Sequence, residues 1–371
     1  MKRKTAEKKM AALILAVCTV LSLGACGTSS DQDKSDSQRI SADKVKEDNQ
    51  ASSGYASGNS SAKSDFTETQ GTEKRTQYPL TITTTGPNGE EYTTTYEKAP
   101  EKVVAVYQGS VETLLALGLE DRIVAAAGLD NEVPDDQKEA FSQLNYLDEF
   151  TPSKETVTML EPDMIFSWVS LFRDDTLGSP EDWISKGTNV YINTNTSSED
   201  SLENEYEDIL NIGKIFDVQD KAEALVNQMK ETIENVKEKT SGETEHSSAL
   251  VIEFLGENIT NYGASSEAGD MVIQLGGTLA NPDASSLGKE DVIAADPDVI
   301  FVVYMPYTGD DPEEVRQEKI NLLLEDETFA SLKAVQSGRV VPIMLSEMYA
   351  SATRTQDGIE TIARGLYPDL E

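Results

Sequence analysis

The chain has 371 residues, room for two domains of ordinary size, and its 31 Lys and Arg against 67 Asp and Glu leave a formal net charge of −36. So acidic a surface excludes nucleic acid as a partner, because phosphate binding needs a basic face. One histidine, His246 in a polar stretch, excludes a multi-histidine metal site, and the two cysteines, Cys18 and Cys26, both lie too near the N-terminus to staple a core.

Residues 1–25 read as a targeting segment. Lys2, Arg3, Lys4, Lys8 and Lys9 precede an apolar run, Ala11–Leu23, that is short for a membrane span. The run ends in Leu23-Gly24-Ala25-Cys26, which resembles a bacterial lipobox and implies lipidation of Cys26. Residues 26–77 are rich in Ser, Asp, Lys and Gly and poor in large apolar side chains, so they are expected to form a disordered tether.

Folding is expected to begin at Tyr78. Leu80–Thr85, Gly86-Pro87-Asn88-Gly89 and Glu91–Tyr96 form a β-hairpin pattern with an Asn-Gly turn. Val103–Tyr107 reads as a buried strand, followed by a helix over Val111–Leu117 with Ser110 as its N-cap and Gly118 as its stop. A second strand is expected over Arg122–Ala127 and a further one over Asn189–Ile192. Helices follow at about 200–215 and 219–238. In the latter, Ala222, Leu225, Val226, Met229, Ile233 and Val236 recur at helical spacing. Residues 78–217 thus make an N-terminal lobe and 218–240 a connecting helix.

Residues 241–371 make a C-terminal lobe. Ala249–Leu255 reads as a strand, Gly256–Gly263 as a polar turn containing Tyr262, and Ser265-Ser266 as the cap of a helix reaching Gly276. A helix near Phe329–Val335, a strand over Gly338–Ile343 and a last helix over Thr355–Leu366 close the chain.

One stretch occurs twice. Lys154–Phe166 and Lys289–Phe301 share seven of thirteen residues at a constant offset of 135. Each copy reads as a short helix, a Pro-Asp turn (Pro162-Asp163, Pro297-Asp298) and an uncharged strand, Met164–Trp168 or Val299–Tyr304. Glu155 and Glu290 suit the helix N-termini, where the macrodipole favours negative charge. The expected fold class is therefore α/β: two similar three-layer lobes with mostly parallel sheets, joined by one long helix.

The lipobox, Lys102–Val106 with Glu112–Gly118, Leu160–Phe166, Ala295–Ile300, Ala334–Arg339 and Ala363–Pro368 together resemble the substrate-binding lipoproteins of ABC importers for iron–siderophores, heme and cobalamin. The resemblance spans about 78–371. It implies a non-enzymatic monomer, lipid-anchored outside the cytoplasmic membrane, that delivers a small-molecule chelate to a permease dimer with its ATPase. It also implies that Glu155 and Glu290 dock into arginine pockets of that dimer. The ligand would lie between the lobes, on loops that follow the strands. Those loops offer Tyr107, Gln108, Trp168, Phe172 and Arg173 from the first lobe, and Tyr262, Tyr304, Met305, Tyr307, Tyr349 and Arg354 from the second. Aromatic rings with few cations suit a hydroxamate-type ferric siderophore, or alternatively a corrinoid or heme. A different class, an extracytoplasmic enzyme or sensor on the same fold, would need a nucleophile with its base or a paired acid and base. The chain shows no G-x-S-x-G motif and no usable histidine.

Overall fold

The computed structural model describes residues 75–197, 199–242, 246–349 and 353–370. The targeting segment, Cys26 and nearly all of the expected tether lie outside them. The folded body starts slightly before Tyr78. Thr76 donates its backbone N–H to Asp217 Oδ1 at 2.6 Å and its hydroxyl to the Lys214 carbonyl at 2.5 Å.

In the first lobe, β1 (Leu80–Thr85) and β2 (Glu91–Tyr96) form the expected hairpin. Then come β3 (Val103–Val106), α1 (Gln108–Ala116), β4 (Ile123–Ala127), α2 (Lys138–Phe141), α3 (Lys154–Leu160), β5 (Met164–Ser167), α4 (Pro180–Ile184), β6 (Asn189–Ile192) and α5 (Leu202–Ile215). The four later strands form a parallel sheet in the order β4-β3-β5-β6. Helix α1 begins three residues earlier than the Ser110 cap predicts. Tyr107 occupies the cap position at φ 73°, and Ser110 instead donates to Asn193 Oδ1 at 2.9 Å.

Helix α6 (Gln219–Thr240) leads into the second lobe, which contains β7 (Ser248–Leu255), β8 (Asn258–Asn261), α7 (Glu267–Gln274), β9 (Thr278–Leu279), β10 (Ser286–Leu287), α8 (Lys289–Ala295), β11 (Val299–Tyr304), α9 (Pro312–Leu324), α10 (Lys333–Gln336), β12 (Val340–Met344) and α11 (Thr355–Leu366). Its sheet runs β10-β8-β7-β11-β12, with β9 also beside β7. Strands β7, β9, β11 and β12 are parallel, whereas β8 runs against both β7 and β10, so this sheet is mixed through that one reversed strand.

Three expectations need correction. The polar turn after β7 is in fact a hairpin: Gly256 at φ 66° permits a tight reversal, and Asn258–Asn261 returns along β7. Helix α9 was not expected, although Asp311 caps it and Pro312 opens it, because most of its apolar residues crowd into Ile320–Leu324 instead of recurring at helical spacing. The helix near Phe329–Val335 splits into a 3-10 turn at Glu327–Phe329 and the short α10.

The two sheets share one interior. Alternate residues of each central strand point into a common core: Val103 and Ala105, Met164 and Phe166, Ala249 and Val251, and Val299, Phe301 and Val303. The intervening residues face separate outer cores, with Val104, Val106 and Ile165 in one and Leu250, Ile252, Ile300 and Val302 in the other. Helix α6 lays Ala222, Val226, Met229, Ile233 and Val236 along the common core and packs against α5 on one side and α11 on the other. Its 22 residues span about 33 Å, enough to serve both sheets.

Candidate functional site

Both repeats end their helices in the same way. Glu161 and Asp296 adopt left-handed conformations (φ 48° and 38°) immediately before Pro162 and Pro297, and the chain turns straight into β5 and β11. The strands therefore run in parallel register with their neighbours and deliver the following loops to the carboxyl edge of each sheet.

At that edge four rings form a series. Tyr107 lies 5.9 Å from Phe150 and 5.1 Å from Trp168, tilted 50° and 35°. Trp168 meets Tyr349, from the loop after β12, edge-on at 5.7 Å and 84°. The series thus crosses from the first lobe to the second. Tyr107 is held by its strained positive φ and by its N–H, which donates to the Ala127 carbonyl at 2.9 Å. Trp168 is half-buried, and its indole Nε1 is buried without an acceptor among the described residues. Orphaned buried donors are uncommon in proteins.

Beside the rings a polar cluster also joins the lobes. Glu112, fully buried on α1, accepts from Arg354 Nε at 2.9 Å and from Nη2 at 2.6 Å. Arg354 Nη2 also donates to the Glu132 carbonyl at 2.6 Å, and Nη1 to Ser346 Oγ at 3.3 Å. Asn131 Nδ2 donates to Ser346 Oγ at 3.3 Å and approaches the sulfurs of Met344 and Met305. The Thr308 backbone N–H donates to the Asp130 carbonyl at 3.0 Å.

This geometry sorts the expected cleft residues. Tyr107, Trp168 and Tyr349 come together. Met305 joins the polar cluster through Asn131. Gln108 is buried; its Oε1 accepts from the backbone of Asp130 and Asn131 and its Nε2 donates to Glu112, so it shapes the loop after β4 rather than facing a ligand. Phe172 is core, packed with Val104, Leu177 and Trp183 on the outer face of the first sheet. Arg354 is not an open anion receptor, because Glu112, Glu132 and Ser346 occupy its donors. Arg173 is exposed on a turn. Tyr304 is half-buried at the end of β11, Tyr307 is exposed, and Tyr262 donates its hydroxyl to Glu253 Oε2 at 2.8 Å. Sequence reasoning missed Phe150, Asn131 and Glu112. Glu112 alone carried a signal, as a lone acid inside the apolar run Val111–Leu117.

The carboxyl groups around the edge are uneasy as anions. Burial pushes Asp130 up to about 6 and Asp200 up to about 7. Burial also raises Glu253, partly offset by the Tyr262 hydroxyl, and raises Glu112 despite the Arg354 contact. Two open recesses measure about 490 and 460 Å³; the first is lined by Glu199, Asp200, Ser201, Asn204, Ala264 and Asp270, the second by residues between Thr93 and Asn189. No group of three or more His, Cys, Asp or Glu among the described residues could hold a metal ion. No helix among them is long and apolar enough to cross a membrane.

Residues 103–344 match the family model described as periplasmic binding protein. The chain belongs to that family. Among its relatives, the uncharacterized ABC transporter substrate-binding lipoprotein YvrC of Bacillus subtilis is 24% identical over 311 residues, covering 82% of this chain and 91% of YvrC. The petrobactin-binding protein YclQ of the same organism is 25% identical over 264 residues, covering 68% of this chain and 78% of YclQ. A crystal structure of a periplasmic binding protein from Veillonella parvula aligns at a TM-score of 0.74 and 32% identity, covering 80% of this chain and 93% of that one. The α/β architecture and the resemblance to substrate-binding proteins are borne out.

Each repeat of this chain presents an acid to solvent. Glu155 and Glu290 are exposed on the first turns of α3 and α8. The lysine before each is drawn aside, Lys154 to Asp182 at 3.2 Å and Lys289 to Asp326 at 2.6 Å.

Proposed function

We propose that the protein is an extracytoplasmic substrate-binding lipoprotein, anchored through Cys26, that delivers a ferric siderophore of hydroxamate type to an ABC importer. The observation that carries the reading is the ring series from Tyr107 through Trp168 to Tyr349, which spans both lobes at the carboxyl edges of their sheets. Rings of this kind offer stiff contact area to the greasy rim of a chelate, and the Trp168 indole N–H and tyrosine hydroxyls offer donors to its outer oxygens. The charges support a weakly charged chelate over an anionic catecholate. Arg354 is neutralised by Glu112, and the neighbouring Asp130 and Glu253 would repel further negative charge. YvrC, named an ABC transporter substrate-binding lipoprotein, and YclQ, named a petrobactin-binding protein, support an importer receptor.

A chelate enters where Trp168 now meets Tyr349, so the lobes part at this edge while α6 holds them at the other. Glu155 and Glu290, matched in position and cleared of their neighbouring lysines, then meet basic sockets on the permease dimer. Reversing both, Glu155→Arg with Glu290→Arg, abolishes docking and leaves solute affinity unchanged; normal uptake by the double variant contradicts that role. Cys26→Ser releases the protein from the membrane fraction, and unchanged fractionation contradicts the anchor.

Titration of tryptophan fluorescence against ferric hydroxamates, ferric catecholates, heme and corrinoids tests the ligand assignment. Saturable quenching by a hydroxamate, lost in Trp168→Phe and kept in Trp183→Phe, is expected. A response confined to heme or to a corrinoid overturns the assignment within the same receptor class.

A further inference from the structure

Resting on the docking reading above, we infer that the two docking pads are unequal and that Met159 is an apolar anchor on the first pad alone. Met159 is 85% exposed, the most exposed large apolar side chain among the described residues. It follows Glu155 by four positions, so both side chains lie on one face of α3, one turn apart. The repeat places Ala294 at the corresponding position of α8. The exposed positions of the first pad are Glu155, Thr158 and Met159; those of the second are Glu290, Asp291 and Ala294 beside Lys289.

The helices are otherwise built alike. Each buries its valine, Val157 or Val292, turns at a left-handed acid, and ties that acid to a lysine: Glu161 to Lys102 at 3.7 Å and Asp296 to Lys333 at 3.6 Å. Among the described residues nothing covers this thioether, and Val157 already fills the inward face of α3. The partner that fits is a membrane-embedded protein dimer presenting a basic socket to each glutamate, with an apolar recess beside the socket that receives Glu155. The match is charge to charge at both pads and apolar to apolar at one. A receptor with such pads docks with a fixed polarity even though its acids are repeated.

The test measures binding of the permease–ATPase complex, held in lipid nanodiscs, to immobilised full-length receptor. Met159→Ala is expected to weaken binding about tenfold, in keeping with the loss of a buried Met side chain. Met159→Asp is expected to weaken it further, and Ala294→Ser to change nothing. Melting temperature and ferric-chelate affinity stay at wild-type values in all three, because the side chains are exposed. Wild-type binding by Met159→Asp, with binding lost in Glu155→Arg, overturns the anchor and leaves the docking reading standing. Wild-type binding by the Glu155→Arg, Glu290→Arg double variant overturns both. Self-association of the receptor that Met159→Asp abolishes, with nanodisc binding unchanged, assigns the residue to a second copy and overturns the anchor as well.

Discussion

Glu112 and Arg354 lie 242 residues apart in the chain and almost wholly out of water, with side-chain exposures of 0% and 9%. Two buried charges held this way contribute little net stability, but removing one leaves the other without compensation. Glu112→Gln is therefore expected to destabilise the protein by about 3–5 kcal/mol, and the double replacement Glu112→Leu with Arg354→Met to recover most of that loss. Urea unfolding measures both; equal losses in the single and double variants would contradict the pairing. The same pair marks where side-chain roles escape the sequence. Position after a strand brings Tyr107, Trp168 and Tyr349 into ring contact at one edge. It could not show that Gln108 and Arg354 are occupied within the protein, because their partners come from the loop after β4, from α1 and from the loop after β12. Phe172 fell to the opposite error: one residue's rotation in a 3-10 turn decides between core and cleft, and periodicity does not reach that far.

Among the elements, the close approach of α5 to α6 sets how firmly α6 is seated. A Cβ at Gly213 would come within 2.5 Å of the Ala222 Cβ. Gly213→Val is expected to cost about 1–3 kcal/mol through overpacking and to lower the melting temperature, whereas Leu225→Val should change it little. Melting curves decide between this contact and a loosely seated helix. Elements with strong local signals were legible. The Asn-Gly hairpin, the repeated helix–turn–strand unit, α6 and α11 fall where apolar spacing and turn residues put them. Strand β8 was missed because Ile259 is its only large apolar residue and its buried Asn261 reads as loop; pairing with β7 is what makes it a strand. Helix α9 was missed because Ile320 and Leu323 are its only buried residues, too few for a helical stripe.

For the molecule as a whole, acidity and burial combine. Burial holds the carboxyl groups of Asp208 and Asp130 at about 6 and those of Asp200 and Glu347 at about 7, all above their unfolded values near 4. The folded chain therefore binds more protons than the unfolded chain between about pH 4 and pH 7, and stability falls as pH rises through that window. Self-repulsion from a formal charge of −36 acts in the same direction. The melting temperature is expected to be higher at pH 5.5 than at pH 8, and the reverse order would show that exposed ion pairs dominate.

Two sheets joined across a single interior leave the carboxyl edges as the place proposed for a ligand that reaches both lobes. The ring series is the feature there that a chelate would replace as its own contact. The direct measurement is the affinity of folded Trp168→Ala, beside that of the wild-type protein, for the ferric hydroxamate proposed as its ligand, read by calorimetry beside a melting curve. The account predicts a native-like melting temperature and a loss of about ten- to a hundredfold in affinity, the ordinary range for truncating a central aromatic contact. A well-folded Trp168→Ala protein with undiminished affinity would contradict it.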